Sequence, residues 1–455
     1  MTLTAVPAPA SDTAGTDVLI GTVVNPAGLT LAKSVPISRA PAFVDPGLGT
    51  SPTWHGFAID QSGIAFTDAI SVVGDQRVRI DPTAARPLDE GLDWAPASFY
   101  DQDGAPVPEC ARGVLGRVEA RLAAAGLRAL VGHEIEFLLV APDGGRIPGA
   151  LWAQYGLAGV LEHEEFIRDV LAAAAAAGVG VEQFHPEYGV NQFEISLAPL
   201  PPVAAADQLV LMRIILSRVA RRSGLRVSLS PVPFSGSVGS GAHQHFSLSR
   251  GGIPLFSGGS GVRGMTAEGE AAVAGILAGL PEAQGVLSGS IVSGLRMRPG
   301  NWAGAHVCWG TENREAALRF LPITHGNPRG ANVEVKVIDP SANPYLATAA
   351  ILGLAQDGIE AAMEAGIGKD AVLPPEVRID PAALTASERA AAGVGLLSTD
   401  QPDIIERLAG SARVRAILGD PAVDALVAVR RHEYEHYAGL EPDQLCDRFR
   451  MAWSL

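Results

Sequence analysis

The chain has 455 residues, a formal net charge of −15 and 47% hydrophobic residues. This length exceeds what one hydrophobic core usually supports, so two domains are expected, and the hydrophobic content excludes a largely disordered protein. The acidic balance argues against nucleic acid as a partner, which needs a basic surface, and mildly favours a cationic substrate.

The N-terminal part of the chain is predicted to hold a short lead-in and a small domain. Residues 1–17 contain no Lys or Arg, so they lack the basic region of a signal peptide and are predicted to be a disordered lead-in. Residues 18–105 carry short apolar runs broken by Pro and Gly, which is typical of a sheet-rich domain. A turn-rich stretch, DGAPVP at 103–108, predicts the boundary to a larger domain over 106–455.

Two features favour a cytoplasmic protein without a membrane partner. The alanine run at 172–177 is too short and too closely flanked by charge to span a membrane. The three cysteines, Cys110, Cys308 and Cys446, are odd in number and far apart. That pattern suits a reducing compartment with no disulfide framework.

Apolar residues at helical spacing predict three helices in the larger domain. The first ends before Gly126, the second runs from about Glu164 to Gly178, and the third runs from about Val203 to Arg222. Helices that alternate with antiparallel-type strands predict an α+β fold.

Four segments that contain carboxylate or histidine side chains are predicted to be β-strands. They are residues 132–137, 187–194, 243–245 and 332–339. In a strand, side chains two residues apart point to the same face. Glu134 therefore projects with Glu136, and His243 projects with His245.

The segment at 332–339 is the clearest of the four. Asn332, Glu334 and Lys336 share one face, while valines fill the other. A single pair of this kind is equally consistent with a solvated strand face. Carboxylates gathered on one face are costly unless cations neutralise them, and carboxylates with an imidazole favour Mg²⁺ or Mn²⁺ over zinc. The four segments together therefore predict a divalent-metal site.

A fifth pattern, HEYEH at 432–436, matches the zincin motif. It lies in a predicted amphipathic helix with Val423, Leu426, Val427 and Tyr434 on its apolar side, and no third ligand follows at a useful spacing. We therefore reject a metalloprotease. The chain has no GxxxxGK[ST] P-loop either, so a nucleotide would be held in another way.

Several motifs together resemble those of the glutamine synthetase family, in the family's order. The matching segments are GHEIEFL (132–138), HPEYGVNQFE (185–194), GSGAHQHFSL (239–248), RMRPG (296–300), NREA (313–316) and DPSANPYL (339–346). The resemblance runs from about Gly21 to the last helix. It implies a β-grasp N-terminal domain followed by a large catalytic domain with a curved antiparallel sheet backed by helices.

The resemblance also implies roles for individual residues. One metal ion would be held by Glu136, Glu187 and Glu194, and another by Glu134, His243 and Glu334, with two to three Mg²⁺ or Mn²⁺ ions per site. The implied substrate contacts are Arg296, Gly239, Lys336 and Arg314, and the implied ATP contacts are Arg314, Arg319, His245 and Ser247. Arg296 matches the arginine that grips the glutamate carboxylate.

The implied reaction is ATP-dependent amide formation at the γ-carboxylate of glutamate through γ-glutamyl phosphate. Phosphorylation brings several negative oxygens together, so metal ions and arginines must neutralise them; Arg314 and Arg319 match such arginines. Lys336 stands where the family has an arginine, which keeps the charge and loses the bidentate fork. Asn332 and Val238 also replace family residues near the ATP and amino-acid sites.

The sharpest departure lies in the PGNWAG segment at 299–304, where Trp302 takes the position of the family's ammonium-enclosing glutamate. An indole offers an apolar or cation–π surface suited to a larger alkylamine. Asp60 loosely matches the family's ammonium-site aspartate of a neighbouring subunit, and is equally consistent with a turn residue.

The leading hypothesis is a γ-glutamyl-amine ligase that uses a polyamine or another primary amine. One alternative is an ordinary glutamine synthetase that uses ammonia, and another is a catalytically silent homologue with a structural or regulatory role. The resemblance implies a homo-oligomer, either a hexameric ring or a dodecamer, whose active sites lie between subunits.

Overall fold

The computed structural model describes residues 15–149, 151–365 and 373–454. These residues form two sheets, a six-stranded one near the N-terminus and a ten-stranded one beyond it. Most of the predicted lead-in lies outside the described residues. The α+β prediction is confirmed.

The small sheet has the strand order β2-β1-β6-β4-β3, with β5 paired to β6. Its elements are β1 (Val18–Val24), β2 (Thr30–Pro36), α1 (Ala40–Val44), β3 (Leu48–Thr50), β4 (Gln76–Ile80), β5 (Arg86–Asp89) and β6 (Leu92–Tyr100). Phe43, Val78 and Phe99 belong to a small hydrophobic core of its own. The boundary at 105–106 stays a prediction.

The large sheet has the strand order β16-β13-β14-β15-β11-β7-β9-β8, with β10 on β7 and β12 on β11. Its strands are β7 (Leu127–Val140), β8 (Val181–Pro186), β9 (Gln192–Leu197), β10 (Arg226–Ser228), β11 (Gln244–Arg250), β12 (Ile253–Pro254), β13 (His306–Thr311), β14 (Ala316–Leu321), β15 (Asn332–Val335) and β16 (Gly395–Leu396). Its neighbouring strands pair antiparallel, except for the parallel pair β13 and β14.

Helices pack against this sheet and against one another. They are α2 (Ala111–Ala124), α3 (Leu157–Glu162), α4 (Glu164–Ala176), α5 (Pro202–Arg222), α6 (Ala267–Leu287), α7 (Ser293–Arg296), α8 (Pro344–Ala365), α9 (Ala386–Ala391), α10 (Gln401–Gly410), α11 (Ala412–Leu418), α12 (Asp420–Tyr437) and α13 (Pro442–Phe449). The three predicted helices are confirmed as α2, α4 and α5. Gly126 and Gly178 follow α2 and α4 with φ of 73° and 70°, the left-handed conformation that ends helices. Among the described residues, no helix has the length and apolarity to cross a membrane.

The four predicted ligand strands are only partly strands. The first lies entirely within β7, but residues 187–191 form the turn between β8 and β9. Asn191 takes a φ of 61° in this turn, a conformation that Asn tolerates better than most residues. His243 precedes β11 by one residue, and Lys336 follows the end of β15.

Candidate active site

The register of the central strands brings carboxylates and imidazoles side by side. Glu136 on β7 lies directly opposite Glu194 on β9. On the other side, β11 pairs with β7 and also with β15, where His245 lies opposite Glu334. Because paired strands lie about 4.8 Å apart, the side chains on this face meet in one cluster.

His243 lies at the centre of the first half of the cluster. Its Nδ1 is 3.5 Å from Glu134 Oε2 and 3.5 Å from Glu334 Oε1. Its Nε2 is 3.8 Å from Glu136 Oε1. His245 joins the same group, since its Nε2 lies 3.3 Å from Glu134 Oε1. His243 and His245 thus both face Glu134, as predicted for side chains two residues apart.

The second half of the cluster is built around His185, which the sequence reasoning did not name as a site residue. His185 Nε2 lies 3.2 Å from Glu194 Oε1, and its Nδ1 lies 3.6 Å from Glu187 Oε1. The signal that could have identified it is its position two residues before Glu187 in the HPEYG motif.

Among the described residues, three sets of side chains each offer donor atoms that lie within 4.8 Å of one another, close enough to hold an ion. The sets are Glu134, Glu194 and His243; Glu134, His245 and Glu334; and His185, Glu187 and Glu194. The first set combines ligands of both ions that the resemblance implies, whereas the other two each add a histidine, His245 or His185, to the ligands of one ion. Glu136 belongs to none of the three sets. The assignment of each ligand to an ion therefore stays a prediction.

The electrostatics of the cluster fit a divalent cation. Burial and the neighbouring Glu136 raise the pKa of Glu187. Burial, followed by the charges of Glu134 and Glu136, raises the pKa of Glu194 to about 7 although His185 opposes the shift. Carboxylates that disfavour one another's charge are relieved by a cation. A donor set rich in carboxylates, with a few imidazoles, matches Mg²⁺ or Mn²⁺ better than zinc.

Cationic side chains line the β14–β15 side of the cluster. Arg319 Nη1 donates to Glu334 Oε2 at 3.0 Å, and Lys336 Nζ donates to Glu334 Oε1 at 3.1 Å. Burial alone would raise the pKa of Glu334, but Lys336 and then His243 lower it to about 2. Arg314 lies exposed in the turn between β13 and β14. Arg319 and Lys336 are thus beside the cluster, while Arg314 is free to meet a ligand from solvent.

The predicted ATP contacts on β11 lie on one face of the strand. His245 Nδ1 contacts Asn332 Oδ1 at 2.8 Å. Burial acts to lower the pKa of His245, but the Glu134 carboxylate outweighs it and raises the pKa to about 9. Ser247, two residues further on, points to the same half-buried side. Their contact with ATP stays a prediction.

Arg296 is buried behind the cluster. Its guanidinium donates to the carbonyl oxygens of Val337 at 3.2 Å and Lys336 at 3.1 Å, and lies 3.5 Å from His243 Nε2. A Cβ on Gly239 would lie 2.8 Å from Arg296 Cγ, so glycine is needed there. Arg296 therefore holds the backbone that follows β15 in place. Its contact with the glutamate carboxylate stays a prediction.

Trp302 lies at the edge of the cluster among other aromatic side chains. The residue is 48% exposed, and its indole meets Tyr188 edge-to-face, with ring centroids 5.8 Å apart. The Tyr188 N–H donates to Glu187 Oε2 at 2.9 Å. Tyr155 is exposed but lies beside Glu187, and partial desolvation together with the charge of Glu187 raises the pKa of its hydroxyl.

We call Trp302, Tyr188 and Tyr155 the aromatic rim. The sequence reasoning identified only Trp302. Tyr188 could have been found from its place in the HPEYG motif, whereas nothing in the sequence pointed to Tyr155.

Asp60 does not join this cluster within the described residues. Its carboxylate accepts hydrogen bonds from Tyr437, from Ser62 at 2.8 Å and from Arg448 at 2.9 Å. These contacts tie the N-terminal domain to α12 and α13 of the same chain. A role for Asp60 in a neighbouring subunit's site stays a prediction.

The HEYEH segment does not form a metal site. Glu433 is buried and accepts a hydrogen bond from Arg430 at 2.7 Å. The predicted apolar side of α12 is wrong at Tyr434, which is 38% exposed. The first histidine of the segment, His432, contacts Ser62 Oγ through its Nε2 at 3.0 Å. With Glu433 committed to the core, the zincin interpretation has no general base.

Known proteins are similar to this chain in sequence and in fold. Residues 108–445 match the family described as glutamine synthetase, catalytic domain. The γ-glutamylpolyamine synthetase of Streptomyces coelicolor is 40% identical over 438 residues, which cover 94% of this chain and 91% of the relative. The glutamine synthetase of Mycolicibacterium smegmatis is 30% identical over 397 residues, 83% of this chain and 86% of the relative. A crystal structure of a "novel glutamine synthase homolog" superposes with a TM-score of 0.84 at 29% identity, covering 96% of this chain and 98% of that one.

Proposed function

We propose a γ-glutamyl-amine ligase activity for this chain, which belongs to the glutamine synthetase family. The proposed reaction joins glutamate to a primary amine, such as a polyamine, at the expense of ATP. The observation that carries the proposal is Trp302, which stands in an aromatic rim beside the carboxylate cluster where the family has a glutamate. The similarity to a relative named as a γ-glutamylpolyamine synthetase supports it.

The carboxylate cluster is proposed to hold Mg²⁺ or Mn²⁺. The predicted ligands are Glu134, Glu136, Glu187, Glu194, His243 and Glu334, and His185 and His245 lie within reach. When bound, the metal would neutralise phosphate oxygens during transfer from ATP to the γ-carboxylate. Retention of a complete ligand set argues against the silent homologue.

Cationic side chains are proposed to neutralise the negative charge on the phosphate oxygens that the metal leaves. The γ-carboxylate of glutamate displaces ADP from the γ-phosphorus of ATP, which yields γ-glutamyl phosphate. The amine nitrogen then attacks the acyl carbon, phosphate leaves, and the nitrogen loses a proton. Arg314, exposed in the turn between β13 and β14, and Arg319, paired with Glu334, are suited to bind the phosphate oxygens.

The aromatic rim is proposed to select the amine. An alkylammonium can lie against the indole of Trp302, where the ring quadrupole attracts the cation and the methylenes leave water. Tyr188 and Tyr155 extend this surface toward Glu187. Ammonium lacks methylenes to bury, so a surface of this kind favours larger amines.

Magnesium-dependent phosphate release should distinguish the candidate functions. With ATP and glutamate present, we expect release to be faster with putrescine, spermine or ethanolamine than with ammonia. Fastest release with ammonia would instead identify an ordinary glutamine synthetase. No amine-dependent release under any condition would favour a silent homologue. Omission of glutamate is the control for uncoupled ATP hydrolysis.

We further propose that the chain assembles into a hexameric ring or a dodecamer. Head-to-tail contacts between N-terminal and catalytic domains close into rings. The N-terminal domain exposes Phe66, Val72 and Val73 in one loop, the last two at 75% and 79%, and exposed apolar side chains of this kind favour an interface.

Sedimentation velocity of the active protein is expected to show a hexamer or larger species. Replacing Val72 and Val73 with aspartate should shift the distribution toward smaller species and lower activity in parallel. Full activity in a preparation that contains only monomer would contradict the ring.

We propose a cytoplasmic location because the cysteines form no disulfide bonds. Cys110, Cys308 and Cys446 are all unpaired and buried. Free thiols persist in reducing compartments.

A further inference from the structure

The segment that carries Trp302 has an unusual backbone conformation. Trp302 has a φ of 53°, and Gly300, two residues earlier, has a φ of 81°. The left-handed region is natural for glycine, but it is unfavourable for a residue with a bulky side chain. Such a conformation persists only where the surrounding structure enforces it. Something outside the segment must therefore hold Trp302 in place.

Glu315 is the group that holds the segment. Its Oε1 accepts a hydrogen bond from the Trp302 N–H at 2.9 Å, and the Gly300 N–H helps to lower the pKa of the carboxylate. Glu315 is only 4% exposed and directly precedes β14. Backbone N–H groups that converge in a turn of this kind form a concave site for an anion. Here the anion is a side chain of the protein itself.

His306 supports the carboxylate from the other side. His306, the first residue of β13, is fully buried, and its Nδ1 lies 3.5 Å from Glu315 Oε2. Burial acts to raise the pKa of Glu315, but His306 and the Trp302 and Gly300 N–H groups together lower it. The carboxylate is therefore held ionised in a buried position, where a charge is tolerated only with partners.

A continuous series of contacts links Glu315 and His306 to the carboxylate cluster. Glu315 bonds to the backbone of Trp302, the indole packs against Tyr188, and the Tyr188 N–H donates to Glu187. The orientation of the indole relative to Glu187 thus depends on the Glu315 hydrogen bonds. Loss of these bonds would free the segment to adopt a backbone conformation that turns the indole elsewhere.

We infer that Glu315, supported by His306, is a positioning residue that determines amine selectivity by fixing the backbone of Trp302 beside the cluster. The inference rests on the proposed amine-ligase function. Glu315 does not touch the reacting atoms; it acts through Trp302. Removing the Glu315 carboxylate should therefore change the KM for the amine far more than the KM for ATP or glutamate.

The test compares Glu315→Gln with the wild type. Glutamine keeps the shape of the side chain but loses the negative charge that faces the Trp302 and Gly300 N–H groups and His306. We expect the KM for putrescine to rise about tenfold or more, while the KM values for ATP and glutamate change less than about twofold. The ratio of kcat/KM for putrescine over ammonia should fall by a similar factor. Glu312→Gln is the matched control, since Glu312 is exposed in the same turn and its variant should behave as the wild type.

Several outcomes would overturn the inference. Equal changes in all three KM values, or an unchanged putrescine-to-ammonia ratio, would reduce Glu315 to a structural role. If Glu315→Gln does not fold, the same ratio measured for His306→Gln decides, and an unchanged ratio there is equally negative. A wild-type enzyme that prefers ammonia would refute the proposed function instead. An amine-selective wild type with an unaffected Glu315 variant refutes only the positioning role.

Discussion

Replacing Glu136 or His243 with alanine is expected to abolish turnover while the protein stays folded. Glu136 lies opposite Glu194 in the central sheet, and His243 contacts carboxylates from β7 and β15. Both are proposed metal ligands, so removing either should take away a donor that helps a bound metal neutralise the phosphate oxygens. We expect kcat/KM to fall by more than about a hundredfold at saturating Mg²⁺.

Thermal unfolding measured with and without Mg²⁺ would separate loss of metal from loss of fold. The Glu136→Ala variant relieves repulsion on Glu187 and Glu194, but it also loses hydrogen bonds from the Gly241 N–H and the Gln192 side chain. Because these two effects oppose one another, its Tm without metal should stay close to that of the wild type. Ligands that bind only the folded state raise Tm, and this increase with Mg²⁺ should be smaller in both variants.

Glu182→Ala is a matched control for these variants. Glu182 is an exposed carboxylate on β8 of the same sheet, and its loss should leave both activity and the Mg²⁺ effect intact. Either site variant retaining more than about a tenth of wild-type activity would contradict the ligand assignment.

The parts of the site that the sequence predicted well are those governed by strand periodicity. On β7, Ile135 and Phe137 are fully buried while Glu134 and Glu136 alternate with them toward the cluster. A period of two specifies which side chains share a face. It does not specify which residue of the next strand lies opposite, so the pairing of Glu136 with Glu194 could not be derived without the family resemblance.

The errors arise where a turn or a buried ion pair interrupts the pattern. Residues 187–191 were predicted as strand, but Gly189 and Asn191 belong to a turn that swings Glu187 back toward the cluster. On α12, the buried side continues through Arg430 and Glu433 rather than through Tyr434. A paired charge in the core is indistinguishable from a surface charge in a sequence read alone.

Contacts between distant segments were beyond the sequence altogether. Tyr155 approaches Glu187, and Glu315 reaches the backbone of Trp302, only because the strands and turns bring them together. Neither residue lies at a spacing that predicts its partner. The departure at Trp302 was visible in the motif, while the structural support for it was not.

Replacing Trp302 with glutamate is expected to reverse part of the enzyme's preference among amines. In the wild type, an alkylammonium against the indole gains about 0.5–2 kcal/mol from the cation–π contact. Each buried methylene adds about 0.8 kcal/mol, so putrescine should exceed ammonia by several orders of magnitude in kcat/KM. The variant loses the apolar surface and gains a carboxylate that suits ammonium, so this ratio should fall by about tenfold or more.

The measurement is the initial rate of phosphate release with ammonia, ethanolamine, putrescine and spermine, with ATP and glutamate saturating. Tyr434→Glu supplies the control, because Tyr434 is an exposed aromatic on α12, which carries no residue of the aromatic rim. Its ratio of kcat/KM for putrescine over ammonia should match that of the wild type. A Trp302→Glu variant with an unchanged ratio would remove Trp302 from amine selection. If the wild-type protein itself used ammonia best, the indole would not be selecting amines, and the chain would be an ordinary glutamine synthetase.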